Sequence, residues 1–131
     1  MRHVKLVHCE DGIAVLLLDN ADGAMNIVTD EWLDDMNAAI ARVREDASII
    51  GLVVTSVKQA FMAGADLKML VNGFDTMTRP QAFAVSQKAT AMHRALETMG
   101  KPVVAALNGL CLGGGFELAL ACHKRVLIDD A

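Results

Sequence analysis

Two glycine-bearing segments of the chain have the residue types of an oxyanion site. They are FMAGADL, residues 61–67, and LGGGFEL, residues 112–118, and each lies between an apolar run and a helical pattern. Glycine lets a ligand approach the backbone, and free N–H groups at a helix start carry partial positive charge. One such turn is more often a packing device. Two of them that converge on one oxygen would form an oxyanion hole.

Glu117 is the only charged side chain between Lys101 and His123. Its apolar neighbours allow two interpretations. It either pairs with a nearby base, Lys124 or Arg125, or it is a carboxylate whose pKa is raised by burial and that exchanges a proton near neutral pH. An acid that lies one helical turn from a glycine oxyanion site could transfer a proton to or from an atom two bonds away from the stabilised oxygen.

The other polar residues give weaker signals for chemistry. Asp66 has the position of a helix cap, and Cys111 has no adjacent base that would make it a nucleophile. Neither glycine segment matches a phosphate-binding loop. The histidines show no metal-ligand spacing, so no metal site is predicted: they are His3, His8, His93 and His123.

The elements that would position these groups alternate between strands and helices. Residues 4–9 and 13–19 read as a hairpin, and a helix capped by Thr29 or Asp30 follows. Its apolar stripe consists of Leu33, Met36, Ile40 and Val43. Residues 49–57 and 103–107 are continuous apolar runs, which predict parallel strands covered on both faces.

Helices are predicted from near Asp66, from near Pro80 and from about Phe116, and a last strand covers residues 125–128. The helix near Pro80 carries an apolar stripe: Val85, Ala89, Met92, Leu96 and Met99. Buried strands that alternate with helices predict an α/β fold with parallel pairing and right-handed crossovers.

Composition excludes several classes of function. The 131 residues suggest one domain, and the net charge of -4 with no basic stripe argues against nucleic-acid binding. Residues 102–122 are long enough to span a membrane, but four glycines, Asn108 and Glu117 exclude this. Cys9, Cys111 and Cys122 read as small buried hydrophobes. No signal peptide is visible, so a reducing cytoplasmic location is expected.

Taken together, AFMAGADLKML and KPVVAALNGLCLGGGFELALAC resemble the enoyl-CoA hydratase/isomerase (crotonase) family. The likeness includes the hairpin and the segment MNIVTDE, residues 25–31. The segment GGGFELALACHKRV is most similar to the N-terminal hydratase part of multifunctional fatty-acid β-oxidation enzymes, in which a 3-hydroxyacyl-CoA dehydrogenase follows. The resemblance implies a spiral of ββα units, with residues 1–131 as the N-terminal part of a single, incomplete domain.

The resemblance also implies the site. The N–H groups of Ala63 and Gly114 would hold the thioester oxygen, and Glu117 would match the first catalytic glutamate. The substrate is an acyl-CoA thioester, and the residues that would bind it are the following: Gly23, Ala24, Ala63, Gly64, Ala65, Asp66, Gly113 and Gly114. The resemblance implies no cofactor for this part of the protein. NAD is implied only if a dehydrogenase domain follows in the whole protein.

The family's second glutamate lies on a later loop, beyond residue 131, so the chain alone is expected to have little or no hydratase activity. A homo-oligomer based on trimers, or association with further chain, is implied by the family. Two alternatives stay open. One is a Δ3-Δ2 enoyl-CoA isomerase or another crotonase, and the other is a non-catalytic acyl-CoA-binding module.

Overall fold

The strands of this chain follow one another across one sheet in their sequence order. The computed structural model describes residues 1–129, and residues 130 and 131 of the predicted domain lie outside this range. The elements are β1 (Val4–His8), β2 (Ile13–Leu18), α1 (Asp30–Glu45), β3 (Gly51–Ser56), α2 (Leu67–Thr76), α3 (Arg79–Glu97), β4 (Val103–Leu107), α4 (Gly114–Ala121) and β5 (Lys124–Leu127). β1 and β2 are antiparallel, and every later pair of neighbours is parallel.

Helices α1 and α2 begin at the capping residues that the sequence indicates, and α3 begins near the predicted Pro80. The Thr29 hydroxyl accepts a hydrogen bond from the N–H of Trp32 at 3.1 Å and caps α1. The Asp66 carboxylate accepts the N–H groups of Lys68 and Met69 and caps α2. α3 begins with a capping box and with proline in its first turn. These ends are fixed by local hydrogen bonds, so their prediction from the sequence is confirmed.

The core lies between one face of the sheet and helices α1 and α3. Alternate residues of the three central strands are buried on this face: Ala14, Leu16, Leu18, Leu52, Val54, Val103, Ala105 and Leu107. On the opposite face, Val53 and Thr55 are only half-buried. The expectation that β3 is covered on both faces is therefore wrong for the described chain, because its helices pack against one side of the sheet.

Short extended segments form a second layer beyond the ends of the strands. Val28 pairs with Ala65, and Met62 pairs with Cys111, each as an isolated parallel bridge. The chain thus leaves β2, β3 and β4 in turn, runs through a short second-layer segment and enters a helix. This repeat is the ββα spiral that the family resemblance implies.

Two details differ from the expectations, and the burial of Cys122 agrees with them. α4 begins at Gly114, two residues before the predicted Phe116, because the glycines themselves form its first turn. Cys9 is exposed, so its prediction as a buried residue is wrong; β1 ends before it. Cys122 is buried, and burial raises the pKa of its thiol to about 12. None of the helices in residues 1–129 has the length and apolar character that crossing a bilayer requires.

The buried side chain of Leu16 provides a test of the core. Leu16 lies in the middle of β2, is 0% exposed and pairs with Val54 of β3. We expect Leu16→Ala to lower the free energy of unfolding by about 2–5 kcal/mol, because it removes buried methyl groups and leaves a cavity. Urea unfolding measures this change. Leu67→Ala, at a side chain that is 73% exposed, is the matched control and should change stability by less than about 0.5 kcal/mol.

Candidate active site

The segments that follow β3 and β4 lie side by side beyond the edge of the sheet. The N–H of Met62 donates to the carbonyl oxygen of Leu110 at 3.1 Å, and the N–H of Leu112 donates to that of Met62 at 3.0 Å. Parallel neighbouring strands end at the same edge, so their following turns are brought together. The two glycine-bearing turns that the sequence singles out therefore meet in one place.

Glycine is required where these turns touch. A Cβ atom on Gly64 would lie 3.1 Å from the carbonyl oxygen of Leu112 and 3.4 Å from the nitrogen of Gly114, and the φ of Gly64 is +103°. A Cβ atom on Gly115 would lie 2.7 Å from the Cβ of Met62. Larger residues would push the turns apart, so the glycines set the spacing of the two backbones.

Four N–H groups of these two turns have no hydrogen-bond partner in the described residues: those of Gly64, Ala65, Gly113 and Gly114. Of these four residues, Ala65 and Gly114 line the same cleft. The N–H of Ala63, by contrast, donates to the carbonyl oxygen of Asn26 at 2.9 Å. This differs from the expectation that Ala63 supplies the first oxyanion donor. In an extended segment successive N–H groups point in opposite directions, so the N–H groups of Ala63 and Ala65 would point the same way if the chain between them were straight. Here the positive φ of Gly64 lies between them and reorients the backbone.

Asn26 holds the first of these turns, although the sequence did not mark it as a site residue. It is fully buried, and its Nδ2 lies 3.3 Å from the Leu18 oxygen, 2.8 Å from Ser56 Oγ and 3.0 Å from the Phe61 oxygen. Its Oδ1 accepts the N–H of Asn20 at 2.8 Å. One side chain thus joins the ends of β2 and β3 to the loop. The sequence did contain one signal for this role, which is the position of a polar asparagine between the apolar residues Met25 and Ile27.

Glu117 lies in the first turn of α4 beside the unpartnered N–H of Gly114. A Cβ atom on Gly114 would be 3.9 Å from Glu117 Oε2. The residue is exposed in the described chain, so the expectation of a buried carboxylate is wrong. The alternative of a pair with Lys124 or Arg125 is also wrong, since among the described residues no base lies within 4.0 Å of its carboxylate.

A cleft of about 230 Å³ extends from these groups between α1 and α3. Its polar end contains Ala65, Gly114 and Glu117. The remainder is mainly apolar and includes Val28, Trp32, Leu33, Met69, Leu70, Val85, Ala89 and Met92. A second cavity of about 320 Å³ lies between α2 and α3 and shares the walls formed by Met69, Leu70 and Val85. The two cavities together form a largely apolar space that starts at the unpartnered donors.

His93 of α3 lines the same cleft as Glu117. It is half-buried, and its Nε2 is buried without a hydrogen-bond partner. Burial lowers the pKa of His93, while the nearby Glu117 carboxylate acts in the opposite direction. The sequence placed His93 on this helix but gave no signal that it faces the site, because this depends on how α3 packs against α4.

The remaining predicted substrate-binding residues lie on two adjacent surface depressions. Ala63, Gly64 and Ala65 line one of them together with Asp66, Gly113 and Gly114. Gly23 and Ala24 line the other, which also reaches Asp66. The Lys58 ammonium donates to the carbonyl oxygen of Gly23 at 2.7 Å and holds that loop near β3. The structure thus brings the whole predicted set to one side of the domain.

Three residues far apart in the sequence have the donor types of a metal site. The ligand atoms of His3, Asp22 and Glu31 lie within 4.8 Å of one another. The Arg2 guanidinium pairs with the carboxylates of both Asp22 and Glu31, and Nε2 of His3 is 3.2 Å from Glu31 Oε2. The one fixed positive charge of the cluster, that of Arg2, is thus already paired with both carboxylates.

Comparison with known proteins bears out the predicted family. The family profile described as enoyl-CoA hydratase/isomerase matches residues 8–131. The chain belongs to the enoyl-CoA hydratase/isomerase family. The fatty acid oxidation complex subunit alpha of Shewanella sp. (strain ANA-3) is 44% identical over 126 residues, which are 95% of this chain and 17% of that protein. The same subunit of Shewanella halifaxensis is 45% identical over 122 residues, 92% of this chain and 17% of that protein.

Solved structures of crotonase-family proteins share the fold. An enoyl-CoA hydratase/carnithine racemase from Magnetospirillum magneticum is 30% identical with a TM-score of 0.83, covering 97% of this chain and 46% of that one. An enoyl-CoA hydratase from Bacillus anthracis is 26% identical with a TM-score of 0.85, covering 98% of this chain and 48% of that one. The described chain is therefore part of a crotonase fold, as predicted.

The contact between Gly115 and Met62 can be tested by adding a methyl group. In Gly115→Ala the new Cβ would meet both the side chain and the carbonyl oxygen of Met62, the latter at 2.9 Å. We expect a loss of about 1–3 kcal/mol in the free energy of unfolding, because the backbone at both turns must move. Urea unfolding measures it. Gly73→Ala is the control, since its Cβ would meet only the flexible side chain of Met77. Equal stabilities of the two variants would contradict the close approach.

The lowered pKa of His93 predicts a pH dependence of stability. At pH values between the pKa of His93 in the folded chain and its ordinary pKa of 6.5, the unfolded chain binds a proton that the folded chain does not. The free energy of unfolding therefore rises with pH across this window and falls as the pH decreases through 6.5. We expect His93→Gln to lose less stability than the parent on going from about pH 8 to about pH 5. Urea unfolding at both values is the measurement, and equal losses would show that burial does not disfavour the imidazolium.

Proposed function

We propose that this chain supplies the oxyanion hole and the first acid–base group of an enoyl-CoA hydratase of fatty-acid β-oxidation. The observation that carries the proposal is the pair of unpartnered N–H groups of Ala65 and Gly114 beside the Glu117 carboxylate. Membership of the enoyl-CoA hydratase/isomerase family and the similarity to fatty acid oxidation complex alpha subunits support it.

The two N–H groups would bind the carbonyl oxygen of the thioester. When water adds to the conjugated double bond, its oxygen bonds to C3 and negative charge moves through C2 to this carbonyl oxygen. Donors that are already oriented stabilise this charge without having to reorganise. Gly114 is the first residue of α4, so the partial positive charge of the helix start adds to its effect. In this proposal Ala65 takes the role that the sequence assigned to Ala63.

Glu117 would handle the proton of the added water. The water loses a proton as its oxygen bonds to C3, and a proton is delivered to C2, so the carboxylate acts as a general base and its protonated form as a general acid. Its exposure in the described chain gives water access. The family's second glutamate lies outside these residues, and the prediction that this chain alone has little or no hydratase activity therefore remains.

The substrate would lie across the site with its two halves in different surroundings. The acyl chain would enter the apolar cleft between α1 and α3, where burial of its methylenes is favourable. The CoA portion would follow the depressions lined by Gly23 and Ala24 and by the segment from Ala63 to Asp66 with Gly113. Lys68 borders the second depression and would attract the negative charge of CoA.

For the whole protein, we propose the organisation of the relatives named alpha subunits of fatty acid oxidation complexes. The chain spans 17% of their length. A second catalytic acid, an NAD-dependent dehydrogenase and a homo-oligomeric or multisubunit assembly would then be supplied by segments and partners other than residues 1–131. Reading the encoding gene beyond residue 131 for a further acid-bearing loop and a dehydrogenase segment tests this part.

Replacement of the acid tests the mechanism. In the whole protein we expect Glu117→Gln to lower the kcat of crotonyl-CoA hydration by about 10²–10⁴-fold with little change in KM, because the amide cannot exchange the proton. Loss of the conjugated enoyl absorbance measures the rate. Glu97→Gln is the matched control: Glu97 is an exposed acid of α3 that pairs with Arg94. Unchanged hydration by Glu117→Gln would refute its role.

Two outcomes would favour the alternatives. If the whole protein converts a 3-enoyl-CoA to the conjugated 2-enoyl-CoA but does not hydrate it, the site is that of an isomerase, which needs one proton-transferring acid and the same oxyanion hole. If it binds acyl-CoA in calorimetry but converts neither substrate, it is a non-catalytic binding module. Hydration of crotonyl-CoA that depends on Glu117 supports the proposed hydratase.

A further inference from the structure

Lys58 links three segments of the chain that lie far apart in the sequence. Its ammonium donates to the carbonyl oxygen of Gly23, at 2.7 Å, in the loop between β2 and α1. Its backbone N–H donates to Ser56 Oγ, at 2.9 Å, at the end of β3. Its backbone oxygen accepts Nδ2 of Asn108, at 2.7 Å, in the segment that follows β4. The loops that follow β2, β3 and β4 therefore meet at this one residue.

The ammonium of Lys58 is held in a defined position. Its side chain is only 17% exposed, so it is not a freely moving surface lysine. Asp19, directly after β2, lies 3.7 Å from the ammonium through Oδ1 and accepts the Lys5 ammonium at 2.7 Å through Oδ2. Both the backbone and the head group of Lys58 are thus fixed by the protein before any ligand binds.

The loop tip that Lys58 contacts, residues 22–24, has few other hydrogen bonds. Within the described chain, its backbone groups make one bond to a residue outside the loop, and this is the bond from Lys58 to Gly23. The Asp22 carboxylate pairs with the Arg2 guanidinium, but both side chains are more than half exposed. All three residues of the tip are exposed, so packing does not fix its conformation either.

The depression beside this tip offers a ligand backbone groups rather than positive charge. The N–H groups of Gly23, Ala24 and Met25, three consecutive residues that line it, have no hydrogen-bond partner in the described chain. The described residues that line it include no lysine or arginine, but they include four acids: Asp22, Asp30, Glu31 and Asp66. Because the phosphates of CoA are anionic, these acids would repel them. Affinity at this depression therefore depends on where the loop backbone is placed.

We propose that Lys58 is a positioning residue for the binding of CoA: its hydrogen bond to Gly23 holds the backbone of residues 22–24 in the conformation that binds the CoA portion. This inference rests on the proposed function, in which Gly23 and Ala24 line the CoA path. A loop that is already ordered loses less conformational entropy when the ligand binds, so the affinity is higher. Lys58 acts through the loop and does not itself have to touch the substrate.

Steady-state kinetics of the whole protein tests the inference. Lys58→Met keeps the apolar stem of the side chain and removes the donor. We expect the KM for crotonyl-CoA to rise about 5–10-fold and kcat to change by less than about 2-fold, because the contact affects binding and not proton transfer. Lys58→Arg supplies a charged donor again and should bring the KM back to within about 3-fold of the parent.

A truncated substrate shows whether the effect passes through the CoA portion. The crotonyl thioester of N-acetylcysteamine has the same acyl group and the same thioester but lacks most of CoA, so it cannot contact the loop of Gly23. We expect its kcat/KM to differ by less than about 2-fold between the parent and Lys58→Met. A general loss of structure would instead lower kcat/KM for both substrates.

Lys5→Met is the matched control. Lys5 pairs with the same carboxylate, that of Asp19, but its side chain is 66% exposed and makes no described contact with the loop. The variant removes an equal charge nearby, and the KM for crotonyl-CoA should stay within about 2-fold of the parent. Asp19→Asn is a second variant, which keeps Lys58 but removes the carboxylate beside it. We expect it to raise this KM by about 2–5-fold, also if Lys58→Met does not fold.

Several results would overturn the inference. An unchanged KM for crotonyl-CoA in Lys58→Met would do so, as would an equal rise in Lys5→Met or an equal loss with the truncated thioester. In these cases crotonyl-CoA is still hydrated, so the proposed function stands. If the whole protein hydrates neither thioester, the proposed function fails, and calorimetry with butyryl-CoA decides the inference: a Kd about 5–10-fold higher in Lys58→Met supports it, and an equal Kd refutes it. If butyryl-CoA does not bind at all, both fail.

Discussion

The close approach of two backbone turns, at Gly64 and at Gly113 to Gly115, is the constraint on which the site depends. The extended segments around Met62 and Cys111 pair with each other before either chain enters its helix. This contact leaves room for hydrogen atoms only, since a Cβ on Gly115 would lie 2.7 Å from the Cβ of Met62. The sheet supplies the parallel strand ends, and the glycines let the turns that follow them meet closely.

Elements set by local interactions could be predicted from the sequence. Thr29 and Asp66 cap their helices through side chains that contact the next turn, and the hairpin follows from two alternating apolar runs around Gly12. The two glycine-bearing motifs also identified the family and the region of the site. In each case a few neighbouring residues determine the outcome, so no knowledge of the tertiary contacts was needed.

Properties set by distant contacts could not be predicted. Whether the N–H of Ala63 or of Ala65 is free depends on the carbonyl oxygen of Asn26, which lies in another loop. The exposure of Glu117 depends on what packs over the first turn of α4, and the identity of that neighbour is not encoded in the helix itself. The position of His93 in the cleft wall likewise follows from the packing of α3, which its own periodicity does not specify.

The hydrogen bonds of Asn26 have a consequence for the opening motions of the chain. Its amide group ties the ends of β2 and β3 to the loop before Ala63, and its backbone oxygen holds the Ala63 N–H. A local fluctuation that displaces the side chain and the backbone of Asn26 together exposes all of these groups to water at once. Hydrogen exchange at Asn20 and at Ala63 should therefore occur through one shared opening event, although 43 positions separate them in the sequence.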